Sequence, residues 1–94
     1  MPKRIDANQP EIVQGLRAIG VRVAITSDLG DGFPDIVCAF RGFNYMLEIK
    51  DGNKPPSKRK LTDKEQVFHA WWKDQGQIDT VKNLDEALQI IGAI

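Results

Sequence analysis

Residues 34–50 have the sequence PDIVCAFRGFNYMLEIK, and this stretch decides the fold of the chain. Two runs of apolar, β-branched and aromatic residues, 36–40 and 43–47, are separated only by Arg41 and Gly42. Two such runs joined by two residues predict a β-hairpin with a tight loop. The hairpin places two short polar motifs at its open end: Pro-Asp before the first strand, and Glu-Ile-Lys at the end of the second.

The register of this hairpin can be counted outward from its loop. Phe40 faces Phe43, and the same count along the antiparallel ladder places Asp35 directly opposite Glu48. Directly opposite residues have Cβ atoms about 5 Å apart. Side chains alternate between the two faces of a strand, so Lys50 lies on the same face as the two carboxylates. Facing carboxylates repel one another, and the arrangement therefore needs Lys50 or a bound cation to compensate their charge.

A carboxylate pair beside a lysine is suited to phosphodiester hydrolysis. Carboxylate and carbonyl oxygens bind divalent cations, and a bound cation activates water beside a phosphodiester. We therefore predict that Asp35 and Glu48 bind Mg²⁺, or Mn²⁺ in its place, with the Ile49 carbonyl as a further ligand. Lys50 would orient or polarise the attacking water. The alternative for these residues is a set of ordinary solvated charges at strand ends.

Composition fits one small domain inside the cell. The chain of 94 residues suffices for a single core, and we see no internal repeat or second domain. Lys plus Arg and Asp plus Glu both total 13, so the net charge gives no general argument for a polyanionic partner. The single cysteine, Cys38, excludes an internal disulfide and a cysteine-rich zinc site. Without a recognisable signal or membrane-spanning stretch, we expect a cytoplasmic protein with no membrane contact.

Positive charge is concentrated after the hairpin. Residues 54–64 hold five basic residues against the single acidic residue Asp63. The basic residues are Lys54, Lys58, Arg59, Lys60 and Lys64. Residues 51–57 include two consecutive prolines and read as a surface loop, because proline cannot continue a strand ladder. In a phosphate-handling protein, the basic residues between 54 and 64 are the best candidates for contacts with a nucleic-acid backbone. The alternative is that they form a solubilising loop.

The segment before the hairpin predicts one helix and one strand. Asn8 is placed to cap a helix whose apolar residues share one face, and Gly20 is placed to end it. Residues 21–26 have the composition of a strand, and residues 27–33 read as a glycine-rich loop.

The segment after the hairpin predicts two helices with a strand between them. Thr62 and Glu65 form a capping-box pattern that opens a helix ending near Gly76. Residues 77–81 read as a strand, and Asn83 caps a last helix. The predicted order is α-β-β-β-α-β-α, an α/β domain spanning residues 1–94.

These motifs together resemble the PD-(D/E)XK nuclease superfamily, and within it the virus-type replication-repair nuclease domain, VRR-NUC. The resemblance rests on Glu11 in the first helix, on residues 32–35 and 48–50, and on Leu61-Thr62 leading to Gln66. It implies a restriction-endonuclease-like core, a mixed β-sheet flanked by helices. It also implies that Glu11 completes the acidic metal cluster and that Gln66 contacts the site. From the residues alone, Glu11 fits ordinary helix-start chemistry and Gln66 a surface position.

The resemblance also carries an expected activity. Stand-alone members are similar to Holliday-junction resolvases, which implies a homodimeric, metal-dependent endonuclease acting on branched DNA such as four-way junctions, without an organic cofactor. Two alternatives remain open: a sequence-reading or nicking nuclease, and a nucleic-acid-binding module without catalysis.

Five further side chains have competing interpretations. For His69 we favour a surface or satisfied helix position over an approach to DNA. Trp71 and Trp72 follow an apolar helical stripe with Phe68, and we favour core or dimer packing over stacking on bases. Asp28 and Asp31 are more easily explained as turn formers than as metal ligands.

Overall fold

The computed structural model describes residues 6–94, which form three α-helices, four β-strands and two short 3₁₀ helices. The elements are α1 (Gln9–Ala18), β1 (Arg22–Ile25), a 3₁₀ helix (Ser27–Leu29), β2 (Ile36–Phe40), β3 (Phe43–Ile49), a second 3₁₀ helix (Pro56–Lys58), α2 (Asp63–Lys73), β4 (Asp79–Val81) and α3 (Leu84–Ile90). This sequence of elements confirms the predicted α-β-β-β-α-β-α order. No helix in the described part of the chain is long and apolar enough to cross a membrane.

The strands form one mixed sheet in the order β1-β2-β3-β4. β1 pairs with β2, and β2 with β3, in antiparallel fashion, whereas β4 runs parallel to β3. The parallel pairing requires a crossover connection, which α2 provides. The sheet is therefore mixed, as expected.

The predicted hairpin register is confirmed from Phe40↔Phe43 to Ile36↔Leu47. Arg41 and Gly42 both have positive φ, 53° and 89°. A tight two-residue loop demands such φ values, which are costly for a residue other than glycine. The Arg41 guanidinium lies 4.7 Å from the centroid of the Phe40 ring, and this cation–π contact offsets part of that cost.

The core lies on one face of the sheet, between the strands and the two helices α1 and α3. Its strand residues include Ile36, Cys38, Leu47 and Ile49, each nearly inaccessible to solvent. The opposite face therefore carries Asp35, Glu48 and Lys50 away from this core, because side chains alternate along each strand.

Asn8 lies at the predicted N-cap position of α1, but the predicted capping hydrogen bond is wrong. The Asn8 side chain makes no such bond. Its Nδ2 instead donates to the main-chain oxygens of Lys50, at 3.1 Å, and Lys82, at 2.9 Å. Lys50 and Lys82 are the residues directly after β3 and β4. One side-chain amide therefore joins, or clamps, the ends of two neighbouring strands.

Burial of Cys38 predicts an alkaline loss of stability. Desolvation raises the pKa of its thiol from 9.0 to about 11, which favours the protonated form in the folded state. The resulting stabilisation is present below pH 9.0 and is lost as the pH rises towards about 11. Chemical denaturation of wild type across this range should show the unfolding free energy falling more steeply than in Cys38→Ala. Parallel pH dependence of the two proteins would contradict this prediction.

Candidate active site

Three predicted site residues are buried together at the open end of the hairpin. Asp35, Glu48 and Lys50 are 2%, 0% and 9% exposed, and all three line one cleft of about 370 Å³. Acidic and basic side chains are almost never this buried unless they are paired or functional. The alternative of solvated strand-end charges is therefore wrong, and Ile49 lines the same cleft.

The carboxylate of Asp35 is fixed across the hairpin. Its Oδ2 accepts a hydrogen bond from the Ile49 main-chain N–H at 2.7 Å. This bond lies just beyond Ile36↔Leu47, the last residue pair between β2 and β3. The Asp35 carbonyl in turn accepts from Thr26 N at 2.8 Å and from Ser27 Oγ at 3.3 Å. The residue is therefore held both by β3 and by the segment that follows β1.

Lys50 is paired with Glu65, a residue of α2 that is only 2% exposed. Its Nζ lies 2.8 Å from Glu65 Oε1, and the same oxygen accepts from Thr62 N at 2.8 Å. Thr62 Oγ1 accepts from Glu65 N at 3.2 Å and completes the predicted capping box. One carboxylate thus caps α2 and neutralises the lysine of the cleft.

Sequence reasoning recognised Glu65 only as part of a cap and missed its position in the cleft. The neighbouring Gln66, which the resemblance favoured, is exposed and donates to Leu61 O at 3.0 Å, and it does not line the cleft. Helical spacing was the sequence signal that could have identified Glu65. Residues four apart lie on the same face of a helix, and Glu65 and His69 are the two buried residues of α2. His69 is 4% exposed, so of the two positions favoured for it, at the surface or satisfied within the helix packing, the surface one is wrong.

Glu11 also lies away from the cleft. It is exposed on α1 and is not among the residues that line the cleft. The buried polar residue of this first turn is Gln9, whose Nε2 donates to Ser27 Oγ at 2.9 Å. Two residues correspond to about 200° around a helix, so Gln9 and Glu11 point in nearly opposite directions. Among residues 6–94, no three His, Cys, Asp or Glu side chains are grouped so that they could hold a metal ion.

The basic stretch lies mostly at the surface, and one of its residues lines the cleft. Lys54, Lys58, Lys60 and Lys64 are exposed, whereas Arg59 is half-buried. Lys64 lines the cleft, and its Nζ lies 3.6 Å from Asp31 Oδ1, although both side chains are largely exposed. Exposed ion pairs contribute little free energy, so this pair leaves Lys64 able to meet a phosphate.

The glycine-rich loop packs directly against the first turn of α2. Gly32 has φ +84°, and a Cβ at this position would collide with the main-chain carbonyl of Lys64. The preceding Asp31 also has positive φ, 54°, a conformation that aspartate tolerates better than most residues. Glycine is therefore required at position 32, where the loop forms one wall of the cleft.

The two tryptophans differ in their surroundings. Trp72 is half-buried, its ring is stacked 5.6 Å from Phe68, and its Nε1 donates to Gln77 O at 3.0 Å. Trp71 is 68% exposed, so core packing is wrong for this residue.

The shared role of Glu65 predicts unequal costs for two substitutions of the capping box. Thr62→Ala removes one capping bond and should lower the unfolding free energy by about 1 kcal/mol. Glu65→Ala removes a cap and also the counter-ion of a buried ammonium, and should cost about 3 kcal/mol or more. Urea denaturation measures both values. Equal costs would mean that the Lys50–Glu65 pair contributes no stability.

Comparison with known proteins bears on the fold. No protein-family model matches the sequence, and no curated protein is significantly similar to it. Among solved structures, a chain described as "VRR_NUC domain" superposes with a TM-score of 0.64 at 23% sequence identity. The match covers 89% of this chain and 89% of the other. The protein therefore has the fold of a VRR_NUC domain, as the resemblance of its sequence motifs implied.

Proposed function

We propose that the cleft is the active site of a metal-dependent endodeoxyribonuclease that hydrolyses phosphodiester bonds in branched DNA such as four-way junctions. The observation that carries the proposal is the joint burial of Asp35, Glu48 and Lys50 in one cleft of a nuclease-type fold. Buried ionisable groups destabilise a fold unless they are compensated, so a cluster of them supports a functional explanation.

The charge balance of the cleft supports cation binding. Five acidic residues line it together with Lys50 and Lys64, and three of the five, Asp35, Glu48 and Glu65, are buried. Lys64 is largely exposed and already beside Asp31, so the buried part of the cleft holds three acidic groups against one lysine. A divalent cation would relieve this excess of negative charge.

The donor atoms at the strand ends suit Mg²⁺, with Mn²⁺ as a substitute. The carboxylates of Asp35 and Glu48 and the carbonyl of Ile49 all offer oxygen, the donor that these hard cations prefer. Mg²⁺ is commonly held by one or two carboxylates, with water and substrate phosphate oxygens completing its shell. Two carboxylates therefore suffice, and Glu11 is not required. When bound, the ion supplies Lewis acidity and lowers the pKa of a coordinated water.

The protein's own groups are oriented before substrate arrives. Asp35 is fixed by the N–H of Ile49, and the Lys50 ammonium is fixed by Glu65. The Lys50 ammonium is therefore positioned to donate a hydrogen bond to a phosphate oxygen, or to orient and polarise the attacking water. Glu65 acts through Lys50 as a positioning residue. Such preorganisation lowers the barrier because the charges need not rearrange during reaction.

The basic stretch would supply affinity for the DNA backbone. Lys58 and Lys60 are exposed, Lys64 lies at the edge of the cleft, and Lys54 and Arg59 belong to the same loop. Contacts of this kind release condensed counter-ions, so the affinity should fall steeply with salt concentration. They carry no sequence information, which is consistent with recognition of DNA structure rather than sequence.

Junction cleavage tests the proposed site. Wild type with Mg²⁺ or Mn²⁺ should cut a four-way junction faster than the matching linear duplex, and EDTA should abolish cutting. Asp35→Asn, Glu48→Gln and Lys50→Met should each lower the single-turnover rate by about 100-fold or more, because each removes a group that acts on the reacting phosphate. Glu11→Gln and Gln66→Ala are matched controls that should retain activity close to wild type.

Other outcomes distinguish the competing functions. Equal activity in all variants would overturn the site assignment. Cutting of linear duplex at one sequence would indicate a restriction-type nuclease, and tight junction binding without cutting would indicate a binding module. As a readout independent of activity, Mn²⁺ should raise the melting temperature of wild type more than that of Asp35→Asn, because a ligand of the folded state stabilises it.

We further propose that the protein acts as a homodimer. A chain of 94 residues presents little surface to a branched substrate, and two copies would place one cleft on each of two strands. Sedimentation velocity at micromolar concentration should show a dimer, alone or on a junction. A monomer under both conditions would contradict the dimeric assembly and leave the chemistry of the cleft untouched.

A further inference from the structure

A second groove lies beside the cleft, along the exposed side of α2. It has a volume of about 390 Å³ and is lined by Asp31, Asp63, Lys64, Val67, Phe68 and Trp71. Asp31 and Lys64 also line the cleft, so the groove and the cleft share a wall. A DNA strand with one phosphodiester in the cleft therefore has a neighbouring nucleotide within reach of the groove.

Trp71 dominates the apolar surface of this groove. It is 68% exposed, and Val67, one turn earlier on α2, is 72% exposed. The indole ring makes edge-type contacts with Phe68 and Trp72, at centroid distances of 5.8 and 6.0 Å. These neighbours hold the ring in place, so a partner that packs on it need not order a mobile side chain.

The size of this surface argues against a second copy of the chain as its occupant. Complete burial of Trp71 and Val67 would cover about 400 Å² per copy at most, whereas a stable interface buries about 800 Å² per partner. Charged side chains surround the apolar pair, namely Asp31, Asp63 and Lys64. A small flat ring fits this arrangement better than a second protein surface does.

Charge also orients the occupant. Asp63 lines only the groove and disfavours phosphates there, whereas the wall shared with the cleft carries Lys64 beside Asp31. A nucleotide would therefore keep its phosphate near Lys64 on the cleft side and direct its base towards Trp71. Base stacking on an aromatic side chain is tolerant of sequence because every base has a π-face.

We propose that Trp71 is a stacking platform for an unpaired base of the DNA strand that occupies the neighbouring cleft. Bases within a duplex stack on one another and must leave the helix before they can reach a protein ring. Branch points, gaps and single-stranded ends offer such bases without that cost. The inference rests on the proposed nuclease function and deepens it, since it names unpaired nucleotides beside the cut as the structural feature that is recognised.

Equilibrium binding in EDTA tests the platform without cleavage. The probes are a short fluorescein-labelled oligothymidylate and a blunt duplex of equal length, read by fluorescence anisotropy. Trp71→Ala should weaken binding of the single strand by about 5- to 100-fold and change duplex binding little. Trp71→Phe should restore most of the affinity because it keeps an aromatic face. Phe43→Ala is the matched control: Phe43 is 67% exposed and lies at the loop end of β3, about 17 Å from Glu48 along the strand.

Three other outcomes overturn the proposal. Equal losses for both probes would indicate a general effect on affinity or folding, and no loss would exclude stacking. A dimer that dissociates in Trp71→Ala while single-strand affinity is unchanged would identify the groove as a subunit contact. If the binding difference is found but no protein cuts DNA, the platform stands and the nuclease function fails.

Discussion

The ion pair between Lys50 and Glu65 connects the sheet to α2 and determines the shape of the cleft. Glu65 Oε1 bonds both the Lys50 ammonium and the N–H of Thr62, so the start of the helix is fixed relative to the end of β3. Gly32 then allows the preceding loop to lie directly on the same turn of the helix. A strand end, a helix cap and a glycine loop thus enclose one small volume, in which Asp35 and Glu48 are removed from bulk water.

The fold was readable from sequence because its decisive signals are local. A two-residue loop fixed the register from Phe40↔Phe43 to Ile36↔Leu47, since a slip by one residue would turn every core side chain to the other face. The capping box of α2 was equally local, because its partners lie three residues apart. The hairpin register alone places Asp35, Glu48 and Lys50 at the same end of the hairpin, without any knowledge of tertiary contacts.

Signals that depend on tertiary packing were read less well. Asn8 is a residue type that often caps helices, yet its side-chain amide donates hydrogen bonds to main-chain oxygens far away in the sequence. Glu65 and Gln66 differ by one position, and only the face of the helix that meets the sheet separates a buried carboxylate from an exposed amide. The same reasoning applies to Trp71, since an apolar stripe does not reveal which of its members other elements cover. Helical periodicity identifies a face, and tertiary contacts decide how much of it is buried.

The amide of Asn8 has a consequence for how the chain acquires its finished form. It joins the carbonyl of Lys50 to that of Lys82, two residues that leave the ribosome far apart in time. The strand end that carries the lysine is therefore locked only after β4 has been synthesised and has paired beside β3. A nascent chain that stops before residue 79 contains every acidic residue of the cleft but lacks this clamp. Synthesis as far as Lys82 is thus needed before the Asn8 amide can fix the main chain at Lys50.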